Sequence, residues 1–124
     1  MSTESSNVLD SPYNLHPSDN TWQAQTPILL NGDNYERWVK LMKNSLRTKR
    51  KVCFLDGTLK RLSNPMEAEK WDMVKSMIIG WIYNSIEPRL RPSVSLVDNA
   101  KLMWDSLQRR FSVSDGTRNT INYE

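Results

Sequence analysis

The sequence predicts an all-α fold: a small helical bundle of three main helices plus short helical pieces, with a flexible N-terminal arm. Three observations lead there. Apolar residues recur at helical spacing in three separate stretches, each is preceded by residues that favour helix starts, and no useful length alternates apolar and polar residues as a strand does. A chain of 124 residues suffices for one domain with one modest core, or a domain plus a tail. The expected layout is a flexible acidic arm at 1–26, a helical domain at 27–118 and a truncated tail at 119–124.

The arm comes first. It is rich in Ser, Asn, Asp, Thr and Pro, and its apolar residues (Leu9, Tyr13, Leu15, Trp22) follow no period, so it reads as a mobile tail. The other reading is that Tyr13, Leu15 and Trp22 dock on the domain or on a neighbouring copy. Order is expected from the apolar run Pro27 to Leu30, which Asn31-Gly32 stops with a turn.

Asp33 and Glu36 have the spacing of a capping box, so the first helix should start there. Tyr35, Trp38, Val39, Met42 and Leu46 then share one face, and Arg37, Lys40, Lys43 and Arg47 share the opposite one. Lys49-Arg50-Lys51 suits the negative end of the helix dipole, and Asp56-Gly57 marks the next turn. Asn64-Pro65 is an N-cap followed by proline at the first helical position, the start of a second helix. From Trp71 to Tyr83 that helix is apolar almost all round, as befits the middle of a bundle. Gly80 weakens it by about 1 kcal/mol relative to Ala, so a close helix crossing is expected there as compensation.

Pro88 and Pro92 bracket a turn or short helical piece. Ser95 and Asp98 form a second candidate capping box, ahead of a third helix with Ala100, Met103, Trp104, Leu107 and Phe111 on one face. Ser114 to Thr117 should stop it, leaving too few residues for a further stable helix. The predicted core is Trp38, Trp71, Ile78, Trp81, Ile82, Trp104, Leu107 and Phe111. Five tryptophans are many for so small a domain, and Trp22, Leu41 and Leu102 are candidates for an oligomer interface.

The net charge of +3 conceals a segregation of signs. Residues 1–35 hold four acids and no base, whereas residues 36–61 hold nine bases against two acids. Arg37, Lys40, Lys43, Arg47, Lys49, Arg50 and Lys51 are therefore candidate contacts for nucleic-acid phosphates, with a solvated helix face as the plainer reading.

Catalytic, metal and cofactor chemistry finds little support. The one histidine, His16, lies beside Pro17 in the arm; the one cysteine, Cys53, sits in an apolar stretch as a structural thiol; no carboxylate pair and no phosphate-binding glycine loop stands out. No enzyme activity, metal or cofactor is expected. A single cysteine excludes an intrachain disulfide framework and suggests a reducing compartment, the cytoplasm or the nucleus. The N-terminus lacks a basic or apolar block of the targeting kind, and no apolar stretch is long enough to span a membrane.

Leu30-Asn31-Gly32-Asp33-Asn34-Tyr35-Glu36-Arg37-Trp38 resembles the LxGxNYxxW opening of the Gag polypeptide of copia-type LTR retrotransposons, as found in plant elements. Met42, Leu46, the Lys49-Arg50-Lys51 run and Asp56-Gly57-Thr58 extend the similarity. So do Trp71, Ile79-Gly80-Trp81-Ile82, Ser85-Ile86, Ser95 to Ala100 and Met103 to Leu107, for a coverage of residues 11–118. The resemblance implies the N-terminal part of a capsid-like structural protein that self-associates into particles enclosing element RNA. No membrane and no small-molecule substrate is expected among its partners. The zinc knuckle usual in the family needs more Cys and His than these residues hold. The sequence departs from the family pattern after Arg118, which suggests a truncated remnant, a domesticated fragment or an excised piece. The rival functions are a monomeric nucleic-acid-binding accessory module and an inert remnant.

Overall fold

The computed structural model describes residues 11–94 and 97–112. Among them are three α-helices, α1 (Tyr35–Thr48), α2 (Pro65–Asn84) and α3 (Ala100–Ser112), with 3-10 turns at Val52–Phe54 and Pro88–Ser93. The all-α prediction holds. The expected stop at Ser114 to Thr117 and the tail at 119–124 lie outside the described residues.

Each helix boundary follows from local chemistry. Asn34, one residue later than Asp33, is the N-cap of α1 and makes no side-chain cap bond. Its amide instead closes the preceding turn: Nδ2 donates to the Leu29 carbonyl at 3.0 Å, and Oδ1 accepts from the Asn31 N–H at 3.0 Å. At the other end, the Arg50 N–H donates to the Arg47 carbonyl and the Lys51 N–H reaches back to the Leu46 carbonyl at 2.8 Å. That is the two-bond Schellman closure, and it places Arg50 in the left-handed region at φ 60° where glycine is usual. Asn64 caps α2 as predicted, its side chain accepting from the Met66 and Glu67 N–H groups at 3.0 and 3.1 Å. For α3 the cap is Asn99, whose Oδ1 accepts from the Leu102 N–H at 3.0 Å. Of the pair expected there, Ser95 lies outside the described residues and Asp98 is engaged with Lys75.

Trp38 stands at the centre of the core, fully buried. Its ring packs against Tyr35 and Trp104 at centroid distances of 6.2 and 5.8 Å. Its indole N–H donates to the Ser85 carbonyl at 2.9 Å. Met42 and Leu46 on α1, Val74, Ile78, Trp81 and Ile82 on α2, and Met103, Leu107 and Phe111 on α3 complete the core, with Leu30 and Ile86 joining it from outside the helices. Trp71, expected in the centre, is only partly buried at its edge. Leu30 and Ile86 form a parallel bridge, with the Leu30 N–H on the Ser85 carbonyl at 3.0 Å and the Glu87 N–H on the Leu30 carbonyl at 2.9 Å.

Residues 11–26 differ most from expectation. They form a strap across α1 and α2, and the remainder of the expected arm, 1–10, lies outside the described residues. Tyr13 meets Phe54 edge to face at 6.3 Å, and Leu15 packs against the core. The Asn20 carbonyl accepts from the Trp81 indole N–H at 2.7 Å, and the Thr21 carbonyl accepts from Asn84 Nδ2 at 2.9 Å. The Gln25 N–H donates to Ser85 Oγ at 2.8 Å. Gly80 is explained by the same strap rather than by a helix crossing. A Cβ at that position would lie 2.8 Å from the Thr21 Cβ and 3.2 Å from the Thr21 carbonyl oxygen. The docking reading holds for Tyr13 and Leu15 but not for Trp22, which is exposed; a polar sequence without periodicity conceals the rest, because the strap is held by backbone carbonyls and a few side chains rather than by an apolar stripe.

Candidate functional site

The basic helix is sorted by the core. With Trp38, Met42 and Leu46 fully buried, helical spacing turns Arg37, Lys40, Lys43 and Arg47 to the opposite side, and all four are exposed. They form a cationic stripe along α1 that suits electrostatic contact with a polyanion and carries no base-reading geometry of its own.

The three cations at the end of that helix fall elsewhere. Lys51 is 2% exposed, and its ammonium donates to the Asn14 carbonyl at 2.7 Å and the Lys49 carbonyl at 2.8 Å. Burial pushes its pKa down, with Asp19 acting in the opposite direction. Lys49 donates to Asp19 at 2.9 Å and sits 5.1 Å over the Trp81 ring. Burial pushes the Asp19 carboxyl up, but hydrogen bonds from Lys49 and from the His16 N–H bring it net below its ordinary value. Arg50, exposed in its left-handed turn, remains at the end of the stripe. Lys49 and Lys51 therefore hold the strap down: Lys51, with its ammonium spent on carbonyls inside the fold, is not presented to a partner, whereas Lys49 is paired with Asp19 and keeps a side chain 29% exposed. Sequence spacing cannot separate these roles, since the strap that consumes both charges comes from residues 14 and 19.

Among the interface candidates, Trp22 is 80% and Leu102 56% exposed, whereas Leu41 is half-buried. Sequence reading missed Met66, Met73 and Leu62, which are exposed as well; Met66 and Met73 lie two helical turns apart on α2. His16 Nδ1 lies 2.7 Å from Ser18 Oγ, but Asp19 Oδ2 accepts from the His16 backbone N–H rather than from its ring. The group is a capped turn and lacks the carboxylate-to-imidazole link of a triad. Cys53 is half-buried, and burial raises its thiol pKa, which disfavours the thiolate. Among the described residues, no group of three or more His, Cys, Asp or Glu is placed to hold a metal ion. No helix among them is long and apolar enough to cross a membrane.

A second charged region opens between α2, α3 and the loop after the first 3-10 turn. This cleft of about 550 Å³ is bordered by Lys60, Arg61, Trp71, Lys75, Asp98 and Lys101, together with Asp72. Arg61 forks onto Asp72 with both bonds at 3.0 Å, and Lys101 reaches Asp105 at 2.7 Å. Lys75 is buried, and its ammonium is paired with Asp98, whose side chain is 92% exposed. The Trp71 indole Nε1 is buried without a hydrogen-bond partner.

Comparison with known proteins adds one match. Residues 16–61 match the family model described as the Gag-polypeptide of LTR copia-type. The matched stretch takes in most of the strap, the Leu30 to Trp38 motif, the whole of α1 and the Asp56-Gly57 turn. No curated protein and no solved structure matches the chain. Over residues 16–61, the chain is therefore similar to the copia-type Gag polypeptides.

Proposed function

We propose that the chain acts as a non-enzymatic Gag-type structural module that self-associates into capsid-like particles and contacts RNA through the exposed stripe on α1. The carrying observation is the exposure of Arg37, Lys40, Lys43 and Arg47 on one face of a helix whose other face is the core. Four cations on one rigid element meet a phosphate backbone without rearrangement. Exposed Trp22, Met66, Met73 and Leu102 give apolar surface for contacts between copies, where large apolar side chains are enriched.

Sedimentation over a range of concentrations, with and without single-stranded RNA, tests both parts. Concentration-dependent association is expected, and a monomer under both conditions refutes assembly. RNA affinity should fall steeply with salt, and Lys40→Glu/Lys43→Glu/Arg47→Glu should abolish it while leaving the thermal midpoint within a few degrees, because none of the three supports the core. Intact RNA binding by that variant would refute the α1 assignment. RNA binding by a strict monomer would favour the accessory-module reading instead.

A further inference from the structure

Lys75 and Asp98 form an unequal pair. The lysine is enclosed in the wall of the α2–α3 cleft, whereas the aspartate carboxylate hangs in solvent on the loop before α3. A buried ammonium needs an anion, and leaving it alone is strongly unfavourable. An exposed carboxylate, by contrast, leaves its partner for water at little cost. Lys75 therefore requires a negative charge at this point but does not require that it be Asp98.

The surroundings favour a ligand oxygen there. Lys60 lies close to Lys101: a Cβ built on Gly57 would have the Lys60 ammonium at 3.9 Å and the Lys101 Cε at 3.0 Å. No carboxylate pairs with Lys60 among the described residues, and Trp71, at the same cleft, holds a buried N–H without an acceptor. Arg61 and Lys101 already have carboxylate partners in Asp72 and Asp105, so Lys60 is left without a carboxylate and Lys75 is met only by the exposed Asp98.

We propose that this cleft is a seat for a small oligophosphate, with the Asp98 carboxylate occupying the seat in the unliganded chain. Bound phosphate displaces Asp98 from Lys75 and gains Lys60. No residue of the α1 stripe borders this cleft, although Lys101 also lines the adjoining hollow with Lys43 and Arg47, and the seat does not depend on the RNA reading.

Inorganic tripolyphosphate titrated into the full chain by calorimetry tests it. Saturable binding is expected. Asp98→Asn, which removes the competing carboxylate, should tighten it about threefold, and Lys60→Gln, at an exposed position, should weaken it by a similar factor, the scale of one solvent-screened ion pair. Lys40→Gln/Lys43→Gln/Arg47→Gln should weaken it less than Lys60→Gln does. Absence of saturable binding, or wild-type affinity in Lys60→Gln, overturns the proposal even if Asp98→Asn fails to fold. So does loss of binding in the α1 variant. A short RNA whose affinity responds to Lys60→Gln while tripolyphosphate does not bind would make the cleft part of the RNA surface, which also overturns it.

Discussion

Gly80→Ala is the sharpest test of the strap, because two effects of similar size oppose one another at that residue. In an exposed helix interior the substitution would stabilise by about 1 kcal/mol, through helix propensity alone. Here the new methyl meets the Thr21 Cβ at 2.8 Å, its Cγ2 at 3.1 Å and the Thr21 carbonyl oxygen at 3.2 Å. The carbonyl belongs to the strap's main chain and the Cβ position is fixed by it, so neither rotates aside and relief requires the strap to move. Crowding of this kind costs about 1–3 kcal/mol. Complete detachment would give up the Asn20–Trp81, Thr21–Asn84 and Asp19–Lys49 bonds, at roughly 1 kcal/mol each, so a local shift is the cheaper response. The expected net effect is a destabilisation of about 1 kcal/mol, read from urea unfolding with the slope unchanged. In a Thr21→Gly background the two closest contacts vanish, and Gly80→Ala should turn stabilising. The double-mutant cycle should therefore show a coupling of about 1–2 kcal/mol. If Gly80→Ala stabilises the wild-type chain as fully as it would a free helix, the strap does not sit on α2 and the reasoning fails.

Two further outcomes follow from the core. Trp38→Phe should lower stability by about 2 kcal/mol in chemical denaturation, from one lost hydrogen bond and partial loss of packing. The Ser85 carbonyl keeps its bond from the Leu30 N–H and is not orphaned, so a loss as large as that of a full truncation would contradict this account. Burial pushes the Tyr35 hydroxyl up to about 12, so the folded chain holds that proton more tightly than the unfolded one. The resulting stability is fully present below pH 10 and is lost as pH rises from there to about 12. Alkaline unfolding followed by circular dichroism should be flatter over that window in Tyr35→Phe, and an unchanged slope would remove Tyr35 from the linkage.

Helix content and the sidedness of α1 were legible because each rests on near neighbours in sequence. Spacing alone assigns Trp38, Met42 and Leu46 to one face and Arg37, Lys40, Lys43 and Arg47 to the other, and Asn64-Pro65 carries its own start signal. Boundaries were less secure. Asn34 displaced Asp33 because its side chain closes the preceding turn on Leu29 and Asn31, and Asn99 caps α3 by accepting from the Leu102 N–H.

The sequence by itself determined the elements, the segregation of charge along the chain and the Gag-like motif from Leu30 to Trp38. Tertiary structure alone decided which charges are available. Lys49 and Lys51 stand beside Arg47 in sequence with the same formal charge. How far each reaches solvent depends on Asp19 and the Asn14 carbonyl, 30 and 37 residues away. The same holds for Lys75 and Asp98, 23 residues apart, and for Gly80 against Thr21. Helical periodicity is a local property of bond geometry. The burial of a charge, or the room for a methyl group, is set by whichever distant segment packs there.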